Sequence, residues 1–273
     1  MASDTPSRPA RPAAGAGTRP LLELTDIEAG YGRAALVLRG LTVTVHPSEI
    51  VCLVGPNGAG KSTVLKVASG MLTPRSGSIT VDGTDVTRHG PQDMIRAGLS
   101  HVLQGHSVFK EMTVAENVGL GAYTVRDKAL VAERTDFVKT LFPVVADRWS
   151  DLAGALSGGQ QKQVEFARSL MVSPKVVLLD EPSMGLDPKT TGKVFEQVVR
   201  MRDAGIAVLL VEQNARRALE TADTGCVLDL GRVHISGPAP ELLADPQLAE
   251  LYLGGRPHTE AHAPNEHKEV TAS

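Results

Sequence analysis

The densest chemical signal in the chain is Gly55-Pro56-Asn57-Gly58-Ala59-Gly60-Lys61-Ser62-Thr63. It fits G-x-x-x-x-G-K-[ST], a spacing at which a loop can wrap a polyphosphate. Gly55, Gly58 and Gly60 allow consecutive backbone N–H groups around Asn57 to turn inward with no Cβ in the way, and a helix that follows offers its positive end. Lys61 then supplies a point charge for β- and γ-phosphates. Ser62, followed by Thr63, supplies a hydroxyl suited to Mg²⁺.

A second constellation is Val176-Val177-Leu178-Leu179-Asp180-Glu181, an apolar run that stops at two adjacent carboxylates. Strand alternation would point the two acids to different faces and so to different tasks. Asp180 suits a hydrated Mg²⁺, and Glu181 suits a base that orients the water attacking a γ-phosphate. Leu156-Ser157-Gly158-Gly159-Gln160, ahead of a helix expected from about Gln161, makes a second anion-binding corner from a hydroxyl and glycine amides. That corner serves either the same nucleotide or one held by another subunit.

Elements of two textures must hold these groups. Short alternating segments between Leu21 and Val45, and again from Ser78 to Val86, read as antiparallel strands. Short apolar runs at Ile50–Val54, Val176–Leu179, Ala207–Val211 and Cys226–Leu230 alternate with helical patterns. Those patterns are Val64, Leu65, Ala68, Met71, Leu72, then Val164, Ala167, Leu170, Met171, and Val194, Phe195, Val198, Val199. Strands separated by helices imply an α/β fold with a mostly parallel sheet covered on both faces. Met112 to Leu156 has helical periodicity without comparable strands and reads as a helical insert.

The 273 residues are 42% apolar and carry 28 Lys plus Arg against 31 Asp plus Glu. The net charge of −3 supplies no global basic field, so no nucleic-acid partner is expected. The two cysteines, Cys52 and Cys226, lie inside apolar runs, which excludes a disulfide scaffold or a cysteine metal site. The longest apolar stretches, such as Ile206–Val211, fall far short of the roughly twenty residues of a membrane-spanning helix. Residues 1–20, with Pro6, Pro9, Pro12 and Pro20, and residues 256–273, where histidines and glutamates alternate around Pro264, read as disordered tails. His46, His89, His101 and His106 have no acid or nucleophile at a suggestive spacing and read as surface or loop residues.

The order of Gly55–Thr63, Gln104, Leu156–Gln160, Val176–Glu181 and Gly185-Leu186-Asp187 resembles the nucleotide-binding domain of ABC transporters across residues 21–255. The resemblance implies a P-loop NTPase core, an N-terminal antiparallel β-subdomain and a helical insert at about 105–160. It implies ATP and Mg²⁺ as cofactors, with Ser62, Gln104 and Asp180 around the metal and Glu181, Gln104 and Gln213 in catalysis. It also implies a head-to-tail dimer, each ATP lying between Lys61 and Ser62 of one protomer and Ser157, Gly159 and Gln160 of the other. Tyr31 matches the aromatic that stacks on adenine, and Asp187 the loop that crosses the interface.

Val211-Glu212-Gln213-Asn214 has glutamine where the family usually has histidine, and is similar to the ATP-binding subunits of branched-chain amino-acid importers and of related urea and amide importers. Met112–Asn117 and Leu251–Gly255 resemble the same branch. A glutamine donates a hydrogen bond but cannot become cationic near neutral pH. Gly105–Phe109 after Gln104, the run Gln160-Gln161-Lys162-Gln163, and Asp187 itself depart from that branch. The implied role is a peripheral ATPase on the cytoplasmic face of the membrane. Its expected partners are a second ATP-binding subunit, identical or not, permease subunits and, indirectly, an extracytoplasmic solute-binding protein. A urea or amide importer, a non-transport ABC ATPase and a regulatory nucleotide-binding module stay open as alternatives.

Overall fold

The computed structural model describes residues 18–32, 35–105, 108–246 and 248. Residues 1–17 of the tail expected at 1–20, the tail expected at 256–273, the Leu251–Gly255 terminus and His106 lie outside the described residues. Residues 18–20 are ordered against the body: the Thr18 carbonyl lies 3.1 Å from Nδ1 of His46.

Two sheets form the frame. Strands β1 (Leu22–Ala29), β2 (Leu38–Val45), β4 (Ser76–Val81) and β5 (Thr84–Asp85) make an antiparallel sheet in the order β2-β1-β4-β5. Strands β3 (Ile50–Val54), β6 (Leu99–Val102), β7 (Val176–Asp180), β8 (Ala207–Val211), β9 (Thr224–Asp229) and β10 (Arg232–Pro238) make the second, in the order β10-β9-β3-β8-β7-β6. All of its pairings are parallel except β9 with β10.

The central strands β3, β7 and β8 are buried along their whole length, so their side chains feed two cores by alternation. Val51, Leu53, Val176, Leu178, Leu209 and Val211 point into the core shared with the antiparallel sheet and helix α1 (Lys61–Ala68). Ile50, Cys52, Val54, Val177, Leu179, Val208 and Leu210 point to the opposite core, under α6 (Gly158–Leu170), α7 (Pro188–Asp203) and α8 (Ala215–Thr221). Cys52 and Cys226 therefore face different cores, and both are free thiols.

Between β6 and α6 lie α3 (Val114–Leu120), α4 (Lys128–Leu141), α5 (Pro143–Asp147) and a 3₁₀ turn at Ala153–Ala155. Thr113 starts α3 through a capping box: its hydroxyl accepts from the Glu116 N–H at 3.1 Å, and Glu116 Oε2 accepts from the Thr113 N–H at 2.7 Å. Phe142 packs against Phe166 of α6, ring centroids 6.4 Å apart, and fastens this helical region to the sheet. Helices α2 (Pro91–Ala97), α8 and α9 (Ala239–Ala244) are short elements that periodicity does not announce.

Three expectations need correction. Helix α6 begins at Gly158, three residues before Gln161, because Ser157 takes the N-cap conformation and its N–H donates to Gln160 Oε1 at 2.9 Å. The run through Glu181 ends as a strand at Asp180, and Glu181 takes a left-handed backbone, φ 46°, so a kink rather than strand alternation separates the two acids. His101 is neither exposed nor in a loop: it lies in β6, half-buried.

Neither ring nitrogen of His101 has a hydrogen-bond partner among the described residues, and burial, reinforced by the Lys66 charge, pushes its pKa down to about 4. The neutral ring is the form that folds. Between about pH 6.5 and 4 the unfolded chain binds a proton that the native state refuses, so stability present above pH 6.5 is lost as pH falls through that window. His101→Phe should remove about 2 kcal/mol of that acid sensitivity, a figure reduced for the ring's partial solvent contact. Urea midpoints at pH 7 and pH 4.5 check this; an unchanged difference between them refutes it.

Candidate nucleotide-binding site

The loop between β3 and α1 is built by close approach and turning. Gly55, φ 151°, passes so near the next strand that a Cβ there would sit 2.1 Å from the Leu228 carbonyl oxygen. Gly58 and Gly60 have φ 83° and 106°, and Gly60 is the N-cap of α1. Lys61 opens the helix, and its Nζ donates to the Gly55 and Pro56 carbonyls at 2.7 and 3.0 Å, so the ammonium curls back across the loop. Gly55→Ala should cost at least about 2 kcal/mol through backbone displacement. Thermal melting of the nucleotide-free protein tests it, and an unshifted midpoint contradicts it.

Acids converge on this loop from the ends of β7 and β8. Ser62 Oγ donates to Asp180 Oδ1 at 3.3 Å. Burial raises the Asp180 pKa and the charge of Glu181 adds to it, while the Ser62 hydrogen bond and the Lys66 and Lys61 charges oppose the rise. Burial lowers the Lys61 pKa, against the charges of Glu181, Asp180 and Glu212. Glu212, which sequence reasoning left without a role, is buried with its pKa raised, and accepts from the Gln213 N–H at 3.0 Å. Its sequence signal is its place directly after an apolar strand, the same as that of Glu181. An Asp180 carboxylate raised by burial and already touching Ser62 is short of a cation, which fits a Mg²⁺ held between Ser62 and Asp180.

Gln104, just past β6, reaches across to the kink. Its Nε2 donates to Glu181 Oε2 at 2.7 Å and lies 3.1 Å from Met184 Sδ. The Glu181 N–H donates to the Val211 carbonyl at 2.9 Å, which ties its backbone to the end of β8, and Gln213, two residues past that strand, is exposed. Tyr31 is 46% exposed, and its hydroxyl lies 3.3 Å from both Thr63 Oγ1 and Lys66 Nζ. The ring is thus pinned beside α1, with the Lys66 ammonium 5.4 Å from its centroid.

Ser157–Gln160 is elsewhere. Helix α1 belongs to the core under the antiparallel sheet, whereas α6 belongs to the opposite core, so the two anion corners start helices on opposite faces of the six-stranded sheet. No hydrogen bond joins Ser157–Gln160 to Gly55–Thr63 among the described residues. Ser157 is exposed; Gly159 is buried where a Cβ would meet Thr190 Cγ2 at 2.3 Å. Asp187 caps α7, accepting from the Lys189 and Thr190 N–H groups at 3.0 and 3.1 Å, and bonds to Thr190 and Lys189 hold its pKa below the usual carboxylate range.

A family model for ABC transporters matches residues 38–184, which span the glycine loop, Gln104, Ser157–Gln160 and both acids of β7's end. The chain belongs to the ABC transporter family. It is an ABC ATP-binding cassette, a family that hydrolyses ATP. It is 38% identical over 235 residues to the high-affinity branched-chain amino acid transport ATP-binding protein BraG of Pseudomonas aeruginosa, covering 86% of this chain and 100% of that protein. The Escherichia coli lipopolysaccharide export system ATP-binding protein LptB is 30% identical over 220 residues, covering 80% of this chain and 91% of that one. A solved ADP conformation of an ATP-binding cassette of an ABC transporter superposes with a TM-score of 0.77 at 28% identity, over 87% of this chain and all of that one. The α/β expectation, with a mostly parallel sheet beside an antiparallel one, agrees with these cassettes.

Proposed function

We propose that this ABC cassette powers uptake of branched-chain or similar amino acids. The observation that carries the reading is the 38% identity to BraG across the whole of that protein, supported by 36% identity to the probable branched-chain amino acid transport ATP-binding protein LivF of Archaeoglobus fulgidus over 99% of its length. The working unit is a head-to-tail pair of such cassettes, identical or not, seated on permease subunits at the cytoplasmic face of the membrane and served indirectly by an extracytoplasmic binding protein. Among the described residues no helix is long and apolar enough to cross a membrane, in keeping with a peripheral subunit.

Each residue then has a task. Tyr31 stacks on the adenine. Gly55, Asn57, Gly58 and Gly60 turn their N–H groups to the phosphates, with Lys61 giving up the Gly55 and Pro56 carbonyls to reach them. Ser62, Asp180 and Gln104 would hold Mg²⁺, which when bound neutralises phosphate charge. Glu181 orients and deprotonates the attacking water, held in place by Gln104. Gln213 donates a hydrogen bond to the γ-phosphate without adding charge. Ser157, Gly159 and Gln160 of the other cassette close over the same nucleotide, and Asp187 and its loop lie at the junction. The opposite-face placement of the two anion corners supports this sharing between two chains.

Reconstitution with branched-chain amino-acid permease subunits and their binding protein tests the solute. ATP-dependent uptake of labelled leucine, lost with Glu181→Gln, is the expected result. Uptake of urea in place of leucine would overturn the amino-acid reading.

A further inference from the structure

Helix α6 and the segment directly after Gln104 meet inside the protein through one lysine. Lys162 and Glu165 lie one turn apart on α6 with side chains only 2% and 0% exposed. Lys162 Nζ donates to Glu165 Oε2 at 2.5 Å and to the carbonyl of Gly105 at 2.8 Å. Gly105, φ 93°, directly follows Gln104, whose amide holds Glu181. Two further contacts tie the same segment down. Asn117 of α3, fully buried, exchanges hydrogen bonds with the Phe109 backbone at 2.8 and 2.9 Å, and the Arg168 guanidinium of α6 stands 5.9 Å from the Phe109 ring.

We infer that Lys162 is a positioning residue for ATP hydrolysis: by gripping the Gly105 carbonyl from inside α6, it fixes the glutamine loop so that Gln104 can hold Glu181. A buried ammonium is expensive unless paired and hydrogen-bonded, and this one spends its bonds on one carboxylate and one loop carbonyl. Glu165, one turn on, holds the Lys162 side chain in line with the loop. Because Ser157 caps the start of α6, the clasp makes the second anion corner and Gln104 parts of one rigid unit, so a shift of the helix is felt at Glu181. The inference rests on the role proposed for Gln104.

Lys162→Met alone strips a buried carboxylate of its ammonium and can fail to fold, so the informative variant is Lys162→Met with Glu165→Met, which removes both charges together. Its melting midpoint should stay within about 3 °C of wild type. In the nucleotide-free protein, amide hydrogen exchange across residues 103–109 should quicken about tenfold while the α6 amides stay protected. Turnover should fall about tenfold with the KM for ATP within about twofold. Glu165→Gln, which leaves Lys162 as donor to Gly105, should keep loop exchange within about twofold of wild type. Wild-type loop exchange or wild-type turnover in the double variant overturns the clasp. Gln104→Ala run in parallel separates the two levels: slow turnover there beside a wild-type double variant refutes the clasp alone, whereas unchanged turnover with Gln104→Ala refutes the role of Gln104 and the clasp with it.

Discussion

Glu181→Gln should cut ATP turnover about a thousandfold while nucleotide stays bound, because the amide keeps the shape of the side chain and loses its capacity to accept a proton. The site gives this carboxylate little freedom to be replaced. Its backbone is kinked to φ 46°, its N–H is fixed to the Val211 carbonyl, and Gln104 Nε2 grips one of its oxygens at 2.7 Å. Asp180, one residue earlier, already receives the Ser62 hydroxyl and stays in the strand, so it cannot swing to serve as the base. Single-turnover hydrolysis measured beside filter binding of ATP separates the two effects. Turnover within tenfold of wild type would mean that another group activates the water.

Lys61→Ala should weaken ATP binding about a hundredfold, since a charge-assisted contact to a triphosphate is worth roughly 1.5–3 kcal/mol and the ammonium makes more than one. Three carboxylates, Glu181, Asp180 and Glu212, lie near enough to perturb the Lys61 pKa, so its removal also leaves an uncompensated negative field facing the incoming phosphates. The fold should survive, because among the described residues Lys61 Nζ donates to the Gly55 and Pro56 carbonyls alone. Calorimetric titration with ATP checks the affinity, and a loss below threefold would show that the backbone amides alone hold the phosphates.

The glycine loop, β3 and α1 were legible because glycine spacing and a short apolar run are local facts, and the loop's job is done by local backbone. The same holds for the apolar runs of β7 and β8. Strand β6 was hidden because Ser100 and His101 interrupt its apolar pattern, and only pairing with β7 makes it a strand. The start of α6 was hidden by two glycines that look like loop, while Ser157 caps them into the first turn. Contacts between distant segments left no local trace. Gln104 and Glu181 are 77 positions apart, and only the family resemblance linked them. Sequence reasoning gave Lys162 and Glu165 no role, and tertiary packing turns this i,i+3 pair inward.

Mixing two disabled forms tests the shared nucleotide site most directly. A Lys61→Ala pair has no phosphate lysine and a Ser157→Arg pair has no closing corner, so each alone should be inactive. In a mixed pair, one site regains the intact lysine of one chain and the intact serine of the other, and random pairing should restore up to about a quarter of wild-type turnover. If both corners act within one chain, no mixed pair contains an intact site, and mixtures as dead as their components would contradict the account.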